Sequence, residues 1–177
     1  SFKTISRAVI EAGIITSRSW FTTDAQRSRA LVSIVVAPGE QIVLNGVGDS
    51  AAMTDWTDGK VPTDAELTAF NPAKGGVILP RGCSLVSLDL RKTVLRPAYV
   101  PLAADEAADY GNRSAIFRMT GGGYYYGFSF KDQLGSTSSH HLLSCFEYAS
   151  EAQLNEFYKK IDEISVDATA ANAVPRD

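Results

Sequence analysis

The chain has 177 residues, of which 45% are hydrophobic and 21% are charged, and its net charge is −3. This length and composition are those of a single globular domain with a sizeable core. The mildly acidic charge argues against a basic surface for nucleic acid or for an anionic membrane. No apolar run approaches the ~20 residues of a membrane helix, so we expect no membrane insertion.

The start of the chain has no charged-then-apolar leader, so a signal peptide is not predicted. The first residue is Ser1 rather than Met. We therefore expect either a processed chain or a segment of a longer protein.

The first predicted element is a short amphipathic helix over residues 2 to 12. Apolar residues recur there at helical spacing, at Phe2, Ile5, Val9 and Ala12. Gly13 stands where a left-handed C-terminal cap belongs, so we expect the helix to end there. A polar connection from Thr16 to Ser28 follows.

Two short strands are predicted next, in the segment RALVSIVVAPGEQIVLNG. Runs rich in Val and Ile flank the turn residues Pro38 and Gly39, which is typical of strand, turn, strand. Residues 45 to 76 then form a loop excursion, with a helical turn expected at TDAELTAF. An excursion of that length indicates a functional segment or an interface.

The central segment GGVILPRGCSLVSLDLRKTVLRP predicts three short strands, at Val77–Leu79, Ser84–Leu90 and Thr93–Arg96. Their corners are too tight for crossover helices, which leaves hairpins of an antiparallel sheet or the bends of a parallel β-helix. A second excursion covers residues 97 to 114. Strand, Pro/Gly corner and strand occur three times, near Pro38, Pro80 and Gly122. This recurrence at irregular spacing favours stacked coils with loops of varying length.

Aromatic residues alternate in the segment TGGGYYYGFSFKD, residues 120 to 132. One parity carries Tyr124, Tyr126, Phe128 and Phe130. Side chains alternate between the faces of a strand, so these rings could form a stacking platform for a ligand or pack in the core. We predict the core, because exposed rings are costly, and we expect Tyr125 and Lys131 to face outward.

The segment SEAQLNEFYKKIDEI predicts a C-terminal amphipathic helix over residues 149–164. Ser150 is its N-cap and Gln153 completes a capping box. One apolar stripe contains Leu154, Phe157, Tyr158 and Ile161. The exposed face is expected to carry Glu156, Lys159 and Lys160. Residues 165–177 are small and polar, which predicts a linker or tail.

The carboxylates form no convincing catalytic pair. Glycoside cleavage needs two acids at a defined separation, and Asp89 and Asp132 are the two that stacked coils could bring together. Each has an ordinary alternative role as an ion pair or turn cap. The group Asp105, Glu106 and Asp109 lacks the donor pattern of a calcium loop, so a solvated loop is predicted there.

Other reactive residues also have simpler interpretations. His140 and His141 would point to opposite faces of a strand, so they are not predicted to bind one metal ion. The Gly121–Gly123 run precedes a strand and lacks the helix that makes glycine loops bind phosphate. Cys83 and Cys145 lie among apolar residues, which indicates buried free thiols. We predict no enzyme activity and no catalytic, cofactor-binding or metal-binding residues.

The chain resembles the right-handed β-helix, pectate-lyase-like region of structural tail and baseplate proteins of tailed phages, especially those of cyanobacteria. The resemblance is carried by SFKTISRAVIEAG, VSIVVAPGE, LTAFNPAKGGVILPRGCSLVSLDLRKTVLRP and RSAIFRMTGGGYYYGFSFKD, with SHHLLSCFEYASEAQLNEFYKKI following. It implies a mainly β protein in which residues 1–148 form a short right-handed parallel β-helix. The N-terminal helix would cap this β-helix, and the C-terminal amphipathic helix would follow it.

The resemblance also implies a function. The chain would be a structural component of the virion tail, made in the host cytoplasm, and its partners would be other tail or baseplate proteins or further copies of itself. The two excursions would contact those partners. Because about three coils are present, either a continuation beyond Asp177 or a partner would complete the solenoid. No nucleic acid, membrane or cofactor is implied.

The same fold also includes tailspikes that bind or degrade polysaccharide on the host surface, which is the alternative function. Such a site would need carboxylates in a groove beside an exposed ring such as Trp56 or Tyr99. The catalytic acids of that group cannot be placed in this sequence.

The stacking of coils gives a further expectation about sheets. Strands around Val35, Ile78 and Ile116 should lie on one sheet. Strands around Val43, Val86 and Phe128 should lie on another.

Overall fold

The described part of the chain combines three helices with nine short strands. The structure, a computed structural model, describes residues 1–17, 32–53, 61–101, 114–133 and 143–169. The helices are α1 (Ile5–Ser17), α2 (Asp64–Thr68) and α3 (Glu151–Thr169), and a 3-10 turn covers Ser50–Ala52. The strands are β1 (Val32–Val35), β2 (Gly39–Val43), β3 (Val77–Ile78), β4 (Cys83–Val86), β5 (Thr93–Pro97), β6 (Ser114–Met119), β7 (Tyr125–Tyr126), β8 (Ser129–Phe130) and β9 (Leu143–Tyr148).

Every third strand belongs to the same sheet. Sheet 1 has the order β1-β4-β7, sheet 2 the order β2-β5-β8 and sheet 3 the order β3-β6-β9, and all pairings are parallel. None of the nine described strands pairs with its neighbour in sequence, so the antiparallel hairpins are wrong. The expected mainly β class is only loosely compatible with this structure. The described chain contains both helices and strands, and all of its strands lie in parallel sheets.

The predicted assignment of strands to sheets is only partly correct. Ile78 and Ile116 do lie on paired strands of sheet 3. Val35 lies in sheet 1 instead, where its register partner is Val86. Val43 belongs to sheet 2, opposite Pro97. The prediction placed these strands on two sheets, whereas the structure has three. A Pro or Gly corner in the sequence shows where a strand ends, but it does not show which sheet the next strand joins.

Strand β4 ends earlier than the predicted Leu90, because the chain turns at Ser87. The Ser87 hydroxyl shares a buried hydrogen bond of 2.7 Å with the Thr93 hydroxyl. Asp89 Oδ1 accepts a hydrogen bond of 3.2 Å from the backbone N–H of Lys92. These contacts close a corner between β4 and β5, and the intervening Leu88 and Leu90 are left exposed.

The interior between the three sheets is apolar. Fully buried members are Val43, Val77, Leu79, Leu85, Leu95 and Phe117. Phe117 lies among other rings, with its centroid 5.9 Å from that of Phe146 and 6.2 Å from that of Phe130. Burial of each large apolar side chain contributes about 1.5–3 kcal/mol, so this layer is a major source of stability.

The predicted inward face of the aromatic segment is half wrong. Tyr124 and Tyr126 are exposed, whereas Tyr125 packs against the core. Phe128 and Phe130 are partly buried against the core and Lys131 is exposed, as predicted. The cause is Gly127, whose φ of 85° turns the chain between β7 in sheet 1 and β8 in sheet 2. The alternation of inward and outward side chains therefore cannot be counted through Gly127, because a different strand begins after it.

Helix α1 lies against the first strand of each sheet, β1, β2 and β3, and against α3. It continues to Ser17, so the prediction that Gly13 ends it is wrong. A Cβ at Gly13 would lie 2.9 Å from Cζ of Phe157, so this glycine permits close packing of the two helices. Thr16, predicted in a polar connection, is buried, and its hydroxyl lies 3.1 Å from that of Tyr158.

The N-terminus of α3 confirms the predicted capping box. Gln153 Oε1 accepts from the Ser150 N–H at 2.9 Å, and the Ser150 hydroxyl accepts from the Gln153 N–H at 3.1 Å. The predicted apolar stripe is buried at Leu154, Phe157 and Ile161, with Tyr158 packed beside it. The helix extends to Thr169, beyond the predicted end at 164, and residues 170–177 lie outside the described ranges.

Lys160 is an exception to the predicted exposed face of this helix. Its side chain is buried, and Nζ donates a hydrogen bond of 2.6 Å to the backbone carbonyl of Ala69. Ala69 follows α2, the helical turn that the sequence predicted, which has a capping box between Thr63 and Glu66. Lys160 therefore attaches the first excursion to α3.

Buried asparagines also hold the described parts of the excursions to the core. Asn45 Nδ2 donates to the carbonyls of Tyr99 at 2.9 Å and Ala115 at 3.2 Å, and its Oδ1 accepts from the Tyr99 N–H at 2.9 Å. Asn71 Nδ2 donates to the carbonyls of Leu44 and Gly46. These hydrogen bonds fix residues 45–53 and 61–76 to their own domain. Contacts with a partner are therefore not needed to order these two segments, although the sequence suggested that they would be.

Candidate functional site

The outer face of sheet 1 is the most unusual surface of the described chain. Val35, Val86 and Tyr126 are register partners, so they form one column across the three strands. Tyr124 precedes Tyr126 by two residues and so has the same parity. We call these four residues the uncharged face.

Most of the uncharged face is open to solvent. The exposed fraction is 63% for Val35, 72% for Tyr124 and 58% for Tyr126, while Val86 on the strand between them is buried. The strands of sheet 1 contain no Asp, Glu, Lys, Arg or His. Exposed apolar side chains grouped on one face mark an interaction site more often than isolated ones do.

The other two sheets carry ionised side chains. On sheet 2, Arg96 binds both carboxylate oxygens of Glu40, at 2.9 and 3.2 Å, and donates to the Asp132 carbonyl at 2.7 Å. The hydrogen bond from Arg96 lowers the pKa of Glu40. On sheet 3, burial lowers the pKa of Arg118, and the charge of Glu147 opposes this shift. Among the described sheets, sheet 1 is therefore the one whose strands contain no charged residue.

The glycine run places the two tyrosines on this face. A Cβ at Gly123 would lie 2.1 Å from the Cys83 carbonyl oxygen, so only glycine lets this backbone approach β4. The Tyr124 N–H then donates a hydrogen bond of 2.9 Å to the Ser84 hydroxyl. Gly121 and Gly122 turn the chain with φ angles of 96° and 77°. In this structure, the three glycines therefore serve to turn the backbone and to let it approach β4 closely.

The structure separates the two carboxylates that the sequence singled out. Asp89 lies in the corner before β5, and Asp132 lies after β8, which pairs in parallel with β5. The two residues therefore lie toward opposite ends of sheet 2. Asp89 Oδ2 is also 3.5 Å from Nζ of Lys92. This arrangement does not form the acid pair of a glycosidase.

Several other candidates cannot be placed. Trp56, Asp105, Glu106, Asp109, His140 and His141 lie outside the described residues. Within the described ranges, no group of three or more His, Cys, Asp and Glu side chains could hold a metal ion. None of the helices in those ranges combines the length and apolarity needed to cross a membrane.

The two cysteines differ in environment. Cys83 is buried as predicted, and burial raises the pKa of its thiol to about 12. Burial and the neighbouring Cys83 also raise the pKa of Tyr125 to about 12. Cys145 is exposed on β9, so its predicted burial is wrong, although partial desolvation still raises the pKa of its thiol. On β9, Leu143 and Phe146 pack against the core, whereas Cys145 and Tyr148 are exposed.

A thiol-specific reagent should distinguish these two cysteines. At about pH 8 the native chain is expected to react first at Cys145, because this thiol is exposed, whereas Cys83 is buried and its raised pKa keeps it neutral. Addition of denaturant should release the second thiol, which absorbance of the reagent product would measure. Cys145→Ser should remove the fast phase alone. Equal native reactivity of both thiols would contradict the burial of Cys83.

Comparison with known proteins gives no relative. No family model, no curated protein and no solved structure matches the chain. The uncharged face also escaped prediction from sequence, because Tyr124 and Tyr126 were assigned to the core. The available signal was Gly127, a residue that permits a corner within what looked like one strand.

Proposed function

We propose that the chain is a short right-handed β-helix that serves as a structural, contact-making component of a phage tail or baseplate. The observation that carries the proposal is the strand order. In each sheet, a strand pairs with the strand three places later in the chain, as β1 does with β4 and β4 with β7. Three rounds of three strands, stacked in register, are the arrangement expected of coils in a parallel solenoid. Right-handed connection is the general rule for parallel crossovers.

The packing of α1 supports this proposal. Its contacts with β1, β2 and β3 cover the edge at which a solenoid would otherwise expose its core and unpaired backbone groups. The interior also continues through successive rounds, as in the contacts of Phe117 with Phe130 and Phe146. A rod of this construction is stiff, which suits a load-bearing part of a particle, and the resemblance of the sequence to tail proteins gives the context.

The proposal is tested on particles. Virions produced from the genome that encodes this chain would be purified, and the chain would be quantified by mass spectrometry and located by immunogold labelling. We expect a fixed copy number per particle and gold on the tail. Absence of the chain from purified particles, despite its presence in the infected cell, would contradict the virion role.

A second candidate, binding of host-surface polysaccharide, is favoured by one observation, the exposure of Tyr124 and Tyr126 on the same face. Residues two apart on a strand are about 7 Å apart, so neighbouring rings could stack on neighbouring sugar units. The separation of Asp89 and Asp132 gives no support to cleavage.

Glycan assays separate these two functions. We expect the purified chain neither to bind host glycans on an array nor to cleave them. Binding that is lost in Tyr124→Ala and Tyr126→Ala would favour the polysaccharide role. Cleavage that is lost in Asp89→Asn or Asp132→Asn would establish an enzyme and overturn the structural role.

A further inference from the structure

We propose that the open edge of β9 binds an extended segment of a partner protein, in which a large apolar residue is followed directly by a basic one. The segment would pair with β9 in parallel, on the side of β9 that faces away from β6. The proposal depends on the strand order and not on the virion role, so either can fail without the other.

The last strand of each sheet has one edge with no described strand beside it. The sheet orders place β7, β8 and β9 at the same end, opposite to the end that α1 covers. Strand β9 is the longest of these three, with six residues against two in each of the others. Helix α3 follows β9 but packs against α1, so it does not continue the sheet at this end.

The backbone of β9 presents hydrogen-bonding groups on this open side. The Ala149 N–H donates to the Met119 carbonyl at 2.9 Å, so Ala149 faces β6. Because successive residues of a parallel strand face opposite edges, Phe146 and Tyr148 direct their N–H and C=O groups to the open side. These groups form no hydrogen bond with another described residue. A row of donors and acceptors at strand spacing selects an extended peptide, which satisfies both kinds of group together.

The sequence of β9, LSCFEY, does nothing to block such pairing. Edge strands are commonly protected by proline or lysine, and this strand contains neither.

The apolar interior is also incompletely covered at this end. The inward residues of the second round are fully buried, and their register partners in the last round are only half-buried; the three pairs are Leu85 with Tyr125, Leu95 with Phe130 and Phe117 with Phe146. The ring centroid of Phe146 lies 5.5 Å from that of Tyr125 and 5.4 Å from that of Phe130. A partner strand with a large apolar side chain beside Phe146 would cover these rings, as Phe146 itself covers Phe117.

The paired side of β9 shows which side chains fit the strand. On β6, Phe117 lies opposite Phe146 with ring centroids 5.9 Å apart, and Arg118 lies opposite Glu147. A parallel strand on the open side would meet the same two residues of β9, so an apolar residue followed by Arg or Lys is favoured there. The open edge of a second copy fits less well, because it carries the acidic Glu147 after Phe146.

Peptide titration of the full chain tests the proposal. The probe is a capped, fluorescently labelled peptide with the β6 sequence SAIFRM, and anisotropy should show saturable binding with a Kd of about 10–100 µM. A Phe117→Ser version of the peptide should bind about 10-fold more weakly or worse, and an Arg118→Glu version about 5-fold more weakly. In the chain, Glu147→Gln should abolish the preference for the arginine peptide over the glutamate peptide. Circular dichroism would establish that this variant is folded.

Amide hydrogen exchange followed by NMR locates the binding. In the free chain the Glu147 amide, which faces β6, should be protected, whereas the Phe146 amide should exchange rapidly. The SAIFRM peptide should slow exchange at Phe146 at least about 10-fold and leave exchange at Glu147 unchanged. Protection of Phe146 in the free chain would overturn the proposal: if it rises with protein concentration, a second copy takes the edge, and if it does not, the chain covers its own edge. Failure of the peptide to bind, or equal binding of all three peptides, would also overturn it.

Discussion

Replacing Phe117 by alanine is expected to lower the free energy of unfolding by about 3–5 kcal/mol. Phe117 is fully buried on the central strand of sheet 3, where its ring contacts those of Phe130 and Phe146. Its removal would take away a large apolar side chain and leave a cavity between rounds that the short strands cannot close by moving together. Chemical denaturation with linear extrapolation would measure the loss.

Two further aromatic residues serve as controls for Phe117. Tyr124→Ala removes a ring that is mostly in water, so we expect a change below about 0.5 kcal/mol. Phe128 is only partly buried, although the sequence predicted it to be a full core residue, and Phe128→Ala should fall between the two. Equal losses for Phe117→Ala and Tyr124→Ala would mean that the interior does not lie between the three sheets.

Local signals in the sequence predicted the local elements well. The capping box of Ser150 and Gln153 and the apolar stripe from Leu154 to Ile161 identified α3, because both depend on residues within a few positions of one another. The strand beginning at Thr93 was placed for a similar reason, since a tight corner precedes it. Such features need no knowledge of the rest of the fold.

Contacts between distant segments could not be predicted in this way. Gly13 was assigned as a helix cap because glycine commonly ends helices, whereas the structure uses it to admit Phe157 from the far end of the chain. Lys160 was assigned to the exposed face because Glu156 lies four residues before it, whereas the Ala69 carbonyl lies within reach of its ammonium group. In both cases the deciding neighbour belongs to another element.

The candidate site was missed for a third reason, which is the limited range of strand parity. Alternation assigns faces only within one uninterrupted strand. The segment from Tyr124 to Phe130 contains two strands in different sheets, with a corner at Gly127 between them. The residues that pack against the core are therefore Tyr125 before the corner and Phe128 and Phe130 after it. Tyr124 and Tyr126, on either side of Tyr125 in sequence, are the exposed tyrosines of the uncharged face.

This corner should be among the least tolerant positions of the chain. Gly127→Ala is expected to lower the free energy of unfolding by at least about 3 kcal/mol, and the thermal midpoint with it. Two effects add. The φ of 85° is unfavourable for any residue with a Cβ, and that Cβ would lie 1.8 Å from the Ser87 carbonyl oxygen. Because Ser87 is buried at the corner between β4 and β5, the clash cannot be relieved without separating two rounds of the sheets.

Gly121→Ala separates the two effects at Gly127. Gly121 has a similar φ of 96°, but a Cβ there would meet nothing within 4 Å. We therefore expect Gly121→Ala to lower the free energy of unfolding by only about 1–2 kcal/mol, the strain of a left-handed backbone alone. The difference between the two variants, measured by denaturation under the same conditions, reports the close approach of Gly127 to Ser87. Equal losses would show that the corner relaxes and that backbone strain is the whole effect, which would contradict tight stacking of β7 and β8 on the round before them.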